Sequence, residues 1–145
     1  MKALLATFAL LFTLTTCSLA ATAPADSTGK VTVTINGITK RTGKLLVGLA
    51  TDNKTLMGQA AINQVIDVPA EGNATVVFPS LKPGRYAVRI VHDLNNNGTM
   101  DFSGQMPTEP FGFSNVTMLM GPPEFDQCAF DVQGEKAVQV TMMEL

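Results

Sequence analysis

The sequence is poor in the residues that most often carry chemistry. It has no tryptophan, one tyrosine, one histidine and two cysteines in 145 residues, and only 15% of its residues are charged. The formal net charge is −2, so we expect no electrostatic binding to a nucleic-acid backbone and no nucleic-acid partner. Hydrophobic residues make up 46% of the chain, which is enough for the packed core of one domain.

The longest apolar run lies at the start of the sequence. Lys2 precedes a mostly apolar run of 12 residues, residues 3–14, and Ser18-Leu19-Ala20 offers a small-residue cleavage site. This pattern predicts a signal peptide over residues 1–20 and export to the periplasm or the extracellular space. Because a spanning helix needs about 20 mostly apolar residues, we expect no transmembrane span in the mature chain.

The two cysteines are expected to have different fates. Cys17 ends the stretch Leu14-Thr15-Thr16-Cys17, which resembles a bacterial lipobox except that a threonine stands where Gly, Ala or Ser is expected. Cleavage after Ala20 would remove Cys17 with the signal peptide. The alternative is a lipid-anchored envelope protein in which Cys17 is the lipidated residue. Cys128 alternates with Phe130 and Val132, so we expect a buried core thiol, not a nucleophile, and no disulfide in the mature chain.

Alternation of apolar and polar residues recurs along the rest of the chain. It is clearest where Val31, Val33 and Ile35 alternate with threonines, the pattern of a strand with one buried face. We predict about seven strands, at residues 31–35, 44–51, 62–68, 74–78, 86–90, 128–132 and 138–142. They indicate an all-β fold, a single immunoglobulin-like β-sandwich over residues 30–145, after a flexible segment at 21–29. Gln133-Gly134-Glu135 predicts a hairpin turn between the last two strands.

A long loop without clean alternation follows the strand that ends at His92. Its first part reads Asp93-Leu94-Asn95-Asn96-Asn97-Gly98-Thr99-Met100-Asp101. In a curled loop with this spacing, alternate residues direct oxygen atoms toward one centre, and Gly98 occupies the turn at the sixth position. Ca²⁺ is the ion we expect, because it prefers about six to eight oxygen ligands. The predicted ligands are the side chains of Asp93, Asn95, Asn97 and Asp101 and the carbonyl group of Thr99.

The match to a calcium loop is incomplete at its twelfth position. Gly104 stands where an EF-hand loop has a bidentate glutamate, so a further ligand has to come from Glu109, a carbonyl group or water. Only Asp93 and Asp101 bring charge within the loop, which predicts a dissociation constant of about 10⁻⁴ to 10⁻³ M. The alternative is a metal-free loop of Asx turns, because Asn, Asp and Gly are also common turn residues.

The sequence gives no positive signal for catalysis, and we expect no enzymatic activity. His92 and Asp93 are neighbours on a strand, so their side chains point to opposite faces and are poorly placed as an acid–base pair. Ser114 lacks the second glycine of a nucleophile elbow. A Cys128–His92 dyad would require the two side chains to meet in space. The alternative left open is a ligand-binding or enzymatic role of the loop region around His92 and Glu109.

The end of the long loop is apolar. Residues 111–120 include Phe111, Phe113, Met118 and Met120, and prolines bracket them. Methionine-rich surfaces adapt to partners, so this segment is a candidate contact for a protein or envelope partner. The alternative is a lid that packs on the core. Without a catalytic signal, the sequence favours a structural or interaction module.

Two motifs resemble a known family. The first is His92-Asp93-x-Asn95-x-Asn97-Gly98-x-x-Asp101 followed by Gly104-x-x-Pro107-x-Glu109-Pro110-x-Gly112-Phe113-Ser114-Asn115, and the second is Leu81-x-Pro83-Gly84-x-Tyr86-Ala87-Val88. Together they resemble bacterial domain-of-unknown-function family 2141 over most of the mature chain, residues 30–143. The resemblance implies a small exported bacterial protein with a prealbumin-like sandwich and no established activity.

Overall fold

The computed structural model describes residues 28–144, and the predicted signal peptide, Cys17 and residues 21–27 lie outside them. The elements in this part of the chain are β1 (Gly29–Asn36), β2 (Lys44–Ala50), α1 (Asn53–Met57), β3 (Ile62–Asp67), β4 (Ala74–Leu81), β5 (Gly84–Asp93), β6 (Phe102–Ser103), β7 (Met106–Pro107), β8 (Phe111–Phe113), α2 (Phe125–Cys128), β9 (Phe130–Val132) and β10 (Glu135–Thr141). β1 to β5, β9 and β10 overlap the seven predicted strands. Neither helix in the described residues has the length and apolar character needed to cross a membrane.

The strands form two main sheets, which confirms the all-β sandwich. The smaller sheet has the order β10-β1-β4, with β1 parallel to β10 and antiparallel to β4. The larger sheet has the order β3-β2-β5-β8, and β9 also pairs with β5. A separate hairpin of β6 and β7 lies within the long loop. β5 is central in the larger sheet and ends at Asp93, so it positions the first residue of the candidate calcium loop.

The main core is built from the facing sides of the two sheets. Val31, Val33 and Ile35 of β1 are fully buried, whereas the threonines between them are only half-buried. β5 contributes Val88 and Ile90 to the same core. The period-two pattern predicts that every second residue of the strand is buried, and the burial of these apolar side chains stabilises the sandwich.

A second apolar cluster covers the opposite face of the larger sheet. Ala87 alternates with Val88 on β5 and therefore points away from the main core. We call this the outer cluster; its buried members are Ala50, Leu56, Ala87, Phe111, Phe113, Phe125 and Cys128. Both helices and β8 contribute to it, so these three short elements share the role of supplying the apolar side chains that cover this face.

Two sequence-based predictions of local structure are wrong. The predicted hairpin at Gln133-Gly134-Glu135 does not form, because β9 pairs with β5 and β10 pairs in parallel with β1. Alternation marks a strand and its buried face but does not specify its partner. Cys128, predicted on a strand, ends α2, and a helix of 4 residues is too short to show helical periodicity. The residue is nevertheless fully buried, as predicted.

Candidate metal centre

The candidate loop begins where β5 leaves the larger sheet. Asp93 is the last residue of β5 and pairs with Lys44 at the start of β2. Just before β2, Gly43 has a φ of +81° and approaches so closely that a Cβ there would overlap the carbonyl oxygen of Asp93. A glycine is therefore required at position 43, and its close approach fixes the backbone at the beginning of the loop.

The carboxylate of Asp93 organises the turn of the loop. Asp93 is 2% exposed; its Oδ1 accepts a hydrogen bond from the Asn97 N–H (3.1 Å) and its Oδ2 from the Gly98 N–H (2.8 Å). The chain can reverse here because Asn96 and Gly98 have φ values of +61° and +81°, which asparagine and glycine tolerate best. The first predicted ligand is thus already bound to the backbone of the loop.

The side chains of Asn95, Asn97 and Asp101 lie together. The Nδ2 of Asn95 donates to Oδ2 of Asp101 (2.6 Å), and the Nδ2 of Asn97 donates to Oδ1 of the same carboxylate (2.9 Å). Oδ1 of Asn97 accepts hydrogen bonds from the N–H of Thr99 (2.9 Å) and from its hydroxyl group (3.1 Å). The loop therefore gathers one carboxylate and two amides, all groups with oxygen atoms that a hard cation prefers.

Glu109 returns to the loop after the β6–β7 hairpin. It is 6% exposed; its Oε1 accepts a hydrogen bond from the Leu94 N–H (2.8 Å) and its Oε2 from the Asp101 N–H (3.2 Å). No three His, Cys, Asp or Glu side chains in residues 28–144 converge as a group of metal ligands. An ion at this loop would therefore depend on asparagine amides and carbonyl groups as well as on carboxylates.

The loop region carries negative charge without a fixed positive counterpart. Residues 90–135 of the sequence contain no lysine or arginine. In the described part of the chain, none of Asp93, Asp101 and Glu109 takes part in an ion pair. Buried carboxylates cost free energy unless hydrogen bonds or a cation compensate them. Here N–H groups supply the hydrogen bonds, and no ion pair in the described residues compensates the negative charge.

His92 supports the loop from the other face of the sheet. Its side chain is buried, with Nε2 2.7 Å from the carbonyl oxygen of Thr42, so this nitrogen carries the proton and donates it. The His92 N–H donates to the carbonyl oxygen of Pro110 (2.8 Å). His92 follows Ile90 on the face of β5 that contributes to the main core, whereas Asp93 lies on the opposite face. The two side chains do not form an acid–base pair.

Cys128 and Ser114 lie in the outer cluster region, away from His92. Burial raises the pKa of the Cys128 thiol to about 11, so the thiol is protonated at neutral pH. The Ser114 hydroxyl accepts a hydrogen bond from the Val88 N–H (2.8 Å) and donates to the Cys128 carbonyl (2.6 Å). Cys128 and His92 therefore belong to opposite faces of the sheet and do not meet. The sequence analysis did not predict that Ser114 links these two residues. Its sequence signal is weak, a single polar residue directly after Phe111-Gly112-Phe113.

The candidate partner segment divides into two halves. Phe111 and Phe113 are buried in the outer cluster, with ring centroids 6.0 Å apart in an edge-to-face arrangement. Met118 and Met120 are 75% and 95% exposed, beside an open cavity of about 480 Å³ lined by residues 115–122 and Gln127. The first half packs on the sheet, and the second half leaves apolar side chains in solvent.

Comparison with known proteins gives a family but no activity. Neither the curated proteins nor the solved structures include a match to this chain. A family model described as "Uncharacterized protein conserved in bacteria (DUF2141)" matches residues 33–141, a range that runs from β1 through the candidate loop to β10. This coverage confirms the resemblance, and the chain belongs to the DUF2141 family of uncharacterized bacterial proteins.

Proposed function

We propose that the protein is an exported, non-enzymatic structural or interaction module whose loop at residues 93–101 binds Ca²⁺ weakly. The observation that carries the calcium proposal is the grouping of Asn95 and Asn97 around the Asp101 carboxylate, at 2.6 and 2.9 Å. The negative charges of Asp93 and Asp101, which form no ion pair in the described residues, add attraction for a cation. Ion binding requires the two amides to turn their oxygen atoms, instead of their NH₂ groups, toward the ion.

The donor set favours calcium over other common ions. Carboxylate, amide and carbonyl oxygens suit a hard cation, and the loop has no thiolate or imidazole for a softer metal. Magnesium demands a tighter octahedral geometry and gives up water reluctantly, so it should bind less well. With two charged ligands and no bidentate glutamate, we expect a dissociation constant of about 10⁻⁴ to 10⁻³ M, the range of extracellular modules.

Thermal melts test the calcium proposal directly. Several millimolar calcium should raise the melting temperature of the wild-type protein by a few degrees. This shift corresponds to an increase of about 0.5 to 1.5 kcal/mol in the free energy of unfolding. Asp101→Asn keeps the shape of the side chain but removes its charge, and it should abolish the calcium-dependent shift. Asp131→Asn removes the same charge from an exposed position on β9, about 26 Å along β5 from Asp93, and should preserve the shift.

The calcium proposal fails on either of two results. One is the absence of a calcium-dependent shift in the wild-type protein, which would leave the loop as a metal-free set of Asx turns. The other is an equal shift in the Asp101→Asn variant. Titration calorimetry on the same proteins separates ion binding from a general effect of salt on stability.

The non-enzymatic part of the proposal is supported by the hydrogen bonds and the protonation of the candidate catalytic groups. His92 binds a carbonyl group, Cys128 holds its proton, and Ser114 makes two buried hydrogen bonds. The cavity beside Glu109 has a volume of about 60 Å³, whereas ligand pockets usually exceed about 300 Å³. A His92→Gln variant that lost a catalytic activity while keeping its fold would favour the alternative role around His92 and Glu109.

The interaction part of the proposal is supported by the exposed half of the partner segment. We place the contact at Met118 and Met120, whose side chains gain most by burial against a protein or envelope partner. A photo-crosslinking residue at position 118 should give a defined adduct in the producing cell. The matched control is position 57, where Met57 is 57% exposed on α1 and should give none. Equal labelling at both positions would contradict a specific contact.

Export and anchoring are tested together by intact-mass measurement of the mature protein. Cleavage after Ala20 should give a chain that begins at Ala21 and is found outside the cytoplasm. An acylated species that begins at Cys17 would establish the lipid-anchored alternative. A mass that retains Met1 would contradict both.

A further inference from the structure

One side chain holds both ends of the candidate loop. Leu94 is the first residue after β5, and Asp101 is the last predicted ligand within residues 93–101. Their N–H groups donate to different oxygens of the Glu109 carboxylate, at 2.8 and 3.2 Å. A third hydrogen bond, from the Thr108 N–H to the Asp101 carbonyl oxygen (2.9 Å), strengthens the same closure. Without Glu109, both backbone N–H groups would lose their acceptor.

Glu109 is itself fixed to the larger sheet. The next residue, Pro110, accepts a hydrogen bond from the His92 N–H (2.8 Å), and Phe111 pairs with Val91 in the β5–β8 ladder. Because Glu109 is also buried, its carboxylate cannot swing toward a new position without breaking its two hydrogen bonds. The sheet thus places this carboxylate where the two ends of the loop meet it.

The competing role for Glu109 is that of a direct ligand, which sequence reasoning suggested. The geometry favours a positioning role instead, since the carboxylate bridges the N–H groups at the two ends of the loop and no three acidic side chains of the described chain converge. We propose that Glu109 is a positioning residue, which closes the loop into its ion-binding shape and does not ligate the ion. This inference rests on the proposed calcium function and refines it.

The proposal makes a quantitative link between loop closure and affinity. If only the closed loop binds calcium, the apparent dissociation constant rises in proportion to the loss of the closed population. Hydrogen bonds to a charged group contribute a factor of about 10 to 100 in an equilibrium of this kind. Removal of the Glu109 carboxylate takes away both hydrogen bonds and should leave the loop mostly open before any ion is added, so calcium binding should weaken about tenfold or more.

The experiment compares two substitutions of Glu109 with a control at Ser114, just beyond β8. Glu109→Gln replaces one acceptor oxygen by an NH₂ group that would face an N–H donor. Glu109→Asp keeps the charge but is too short to reach both ends of the loop. Ser114→Ala removes the buried hydroxyl that links Val88 to Cys128, so it destabilises the neighbouring segment and leaves the loop contacts intact. Two quantities are measured on each folded protein: the calcium dissociation constant by calorimetry, and hydrogen exchange at the Leu94 and Asp101 amides without calcium.

The expected result is the same for both Glu109 variants. Exchange at the two amides should accelerate by about tenfold or more, and calcium binding should weaken about tenfold or more because the closed loop is then a minor population. Ser114→Ala should lower the melting temperature and leave the dissociation constant unchanged. The His92 amide, which donates to Pro110, serves as an internal reference whose exchange should not change.

Three results would overturn the proposal. Weaker binding with unchanged exchange would make Glu109 a direct ligand. Faster exchange with unchanged affinity would make it a purely structural residue. Full affinity in Glu109→Asp but not in Glu109→Gln would show that charge, not closure, is what matters. Failure of the calcium function is distinguishable from all three, because the wild-type protein itself would then show no binding.

Discussion

Two irregular segments flank the short strand β8, and they are ordered in different ways. Residues 93–109 are closed by hydrogen bonds from backbone and amide N–H groups to the carboxylates of Asp93, Asp101 and Glu109. Residues 115–122 hold few polar contacts and leave Met118 and Met120 in solvent. The first segment has its structure encoded in its own side chains. The second segment has few such contacts of its own. This difference supports the proposal that the first segment binds an ion and the second contacts a macromolecular partner.

The largest effect is expected from removal of the organising carboxylate of the polar segment. Asp93→Ala leaves the Asn97 and Gly98 N–H groups without their acceptor at a nearly buried position. The free energy of unfolding should fall by about 3 kcal/mol, because hydrogen bonds to a charged group are among the stronger ones. Chemical denaturation measures the loss. A loss below about 0.5 kcal/mol would show that the loop does not depend on this side chain.

The thiol under the second segment gives the next largest effect. Burial raises the pKa of Cys128 to about 11, about two pKa units above its ordinary value. The reactive thiolate is therefore about a hundredfold rarer in the native protein, and the native thiol should react at least a hundredfold more slowly than the unfolded one. The folded state favours the protonated thiol, so its contribution to stability is present below pH 9 and lost as the pH rises toward 11. Labelling kinetics with a thiol reagent test this. Rapid native labelling would mean that the segment opens freely.

A smaller effect separates backbone conformation from ligation in the polar segment. Asn96 has a φ of +61° and makes no side-chain hydrogen bond to the other loop residues in the described chain. Asn96→Ala should cost about 1 kcal/mol because alanine resists this conformation, whereas Asn96→Gly should be nearly neutral. Both variants should keep the calcium-dependent shift in melting temperature. Loss of the shift in Asn96→Gly would place this side chain among the ion ligands.

The smallest effect is expected at the exposed methionines. Met120→Ser should change the free energy of unfolding by less than about 0.5 kcal/mol, since the side chain is 95% exposed. The same substitution should weaken any contact that the segment makes with its partner. A large loss of stability in the isolated protein would instead mean that Met120 packs on the chain, and the contrast between the two segments would disappear.

The sequence carried enough information for the strands and for the composition of the loop. Alternation at Val31, Val33 and Ile35 predicts a half-buried strand because a strand exposes one face at a time, and β1 has this pattern of burial. The parallel pairing of β1 with β10 could not be predicted, because an alternating pattern is the same for every partner. The helix that ends at Cys128 was hidden for a different reason, since 4 residues give no period.

The candidate site was predictable only where its residues are close in sequence. The spacing of Asp93 to Asp101 identified the loop because local turns bring alternate residues together. Glu109 was named as a ligand, but its contacts with the Leu94 and Asp101 N–H groups depend on the path of the β6–β7 hairpin. The link from Ser114 to Val88 and Cys128 depends on the packing of three elements. Such contacts between distant residues leave no periodic trace in a sequence.

The pairing of the first strand with the last has a consequence for the order in which the chain can fold. β1 lies between β4 and β10, and Val31 faces Lys136 in the parallel ladder. Contacts between residues so far apart in sequence slow folding, since the loop that joins them must close first. Because β10 follows β1 and β4 in the chain, the smaller sheet cannot be completed until β10 has been synthesised. If the chain is exported as we propose, completion of this sheet follows the passage of β10 across the membrane.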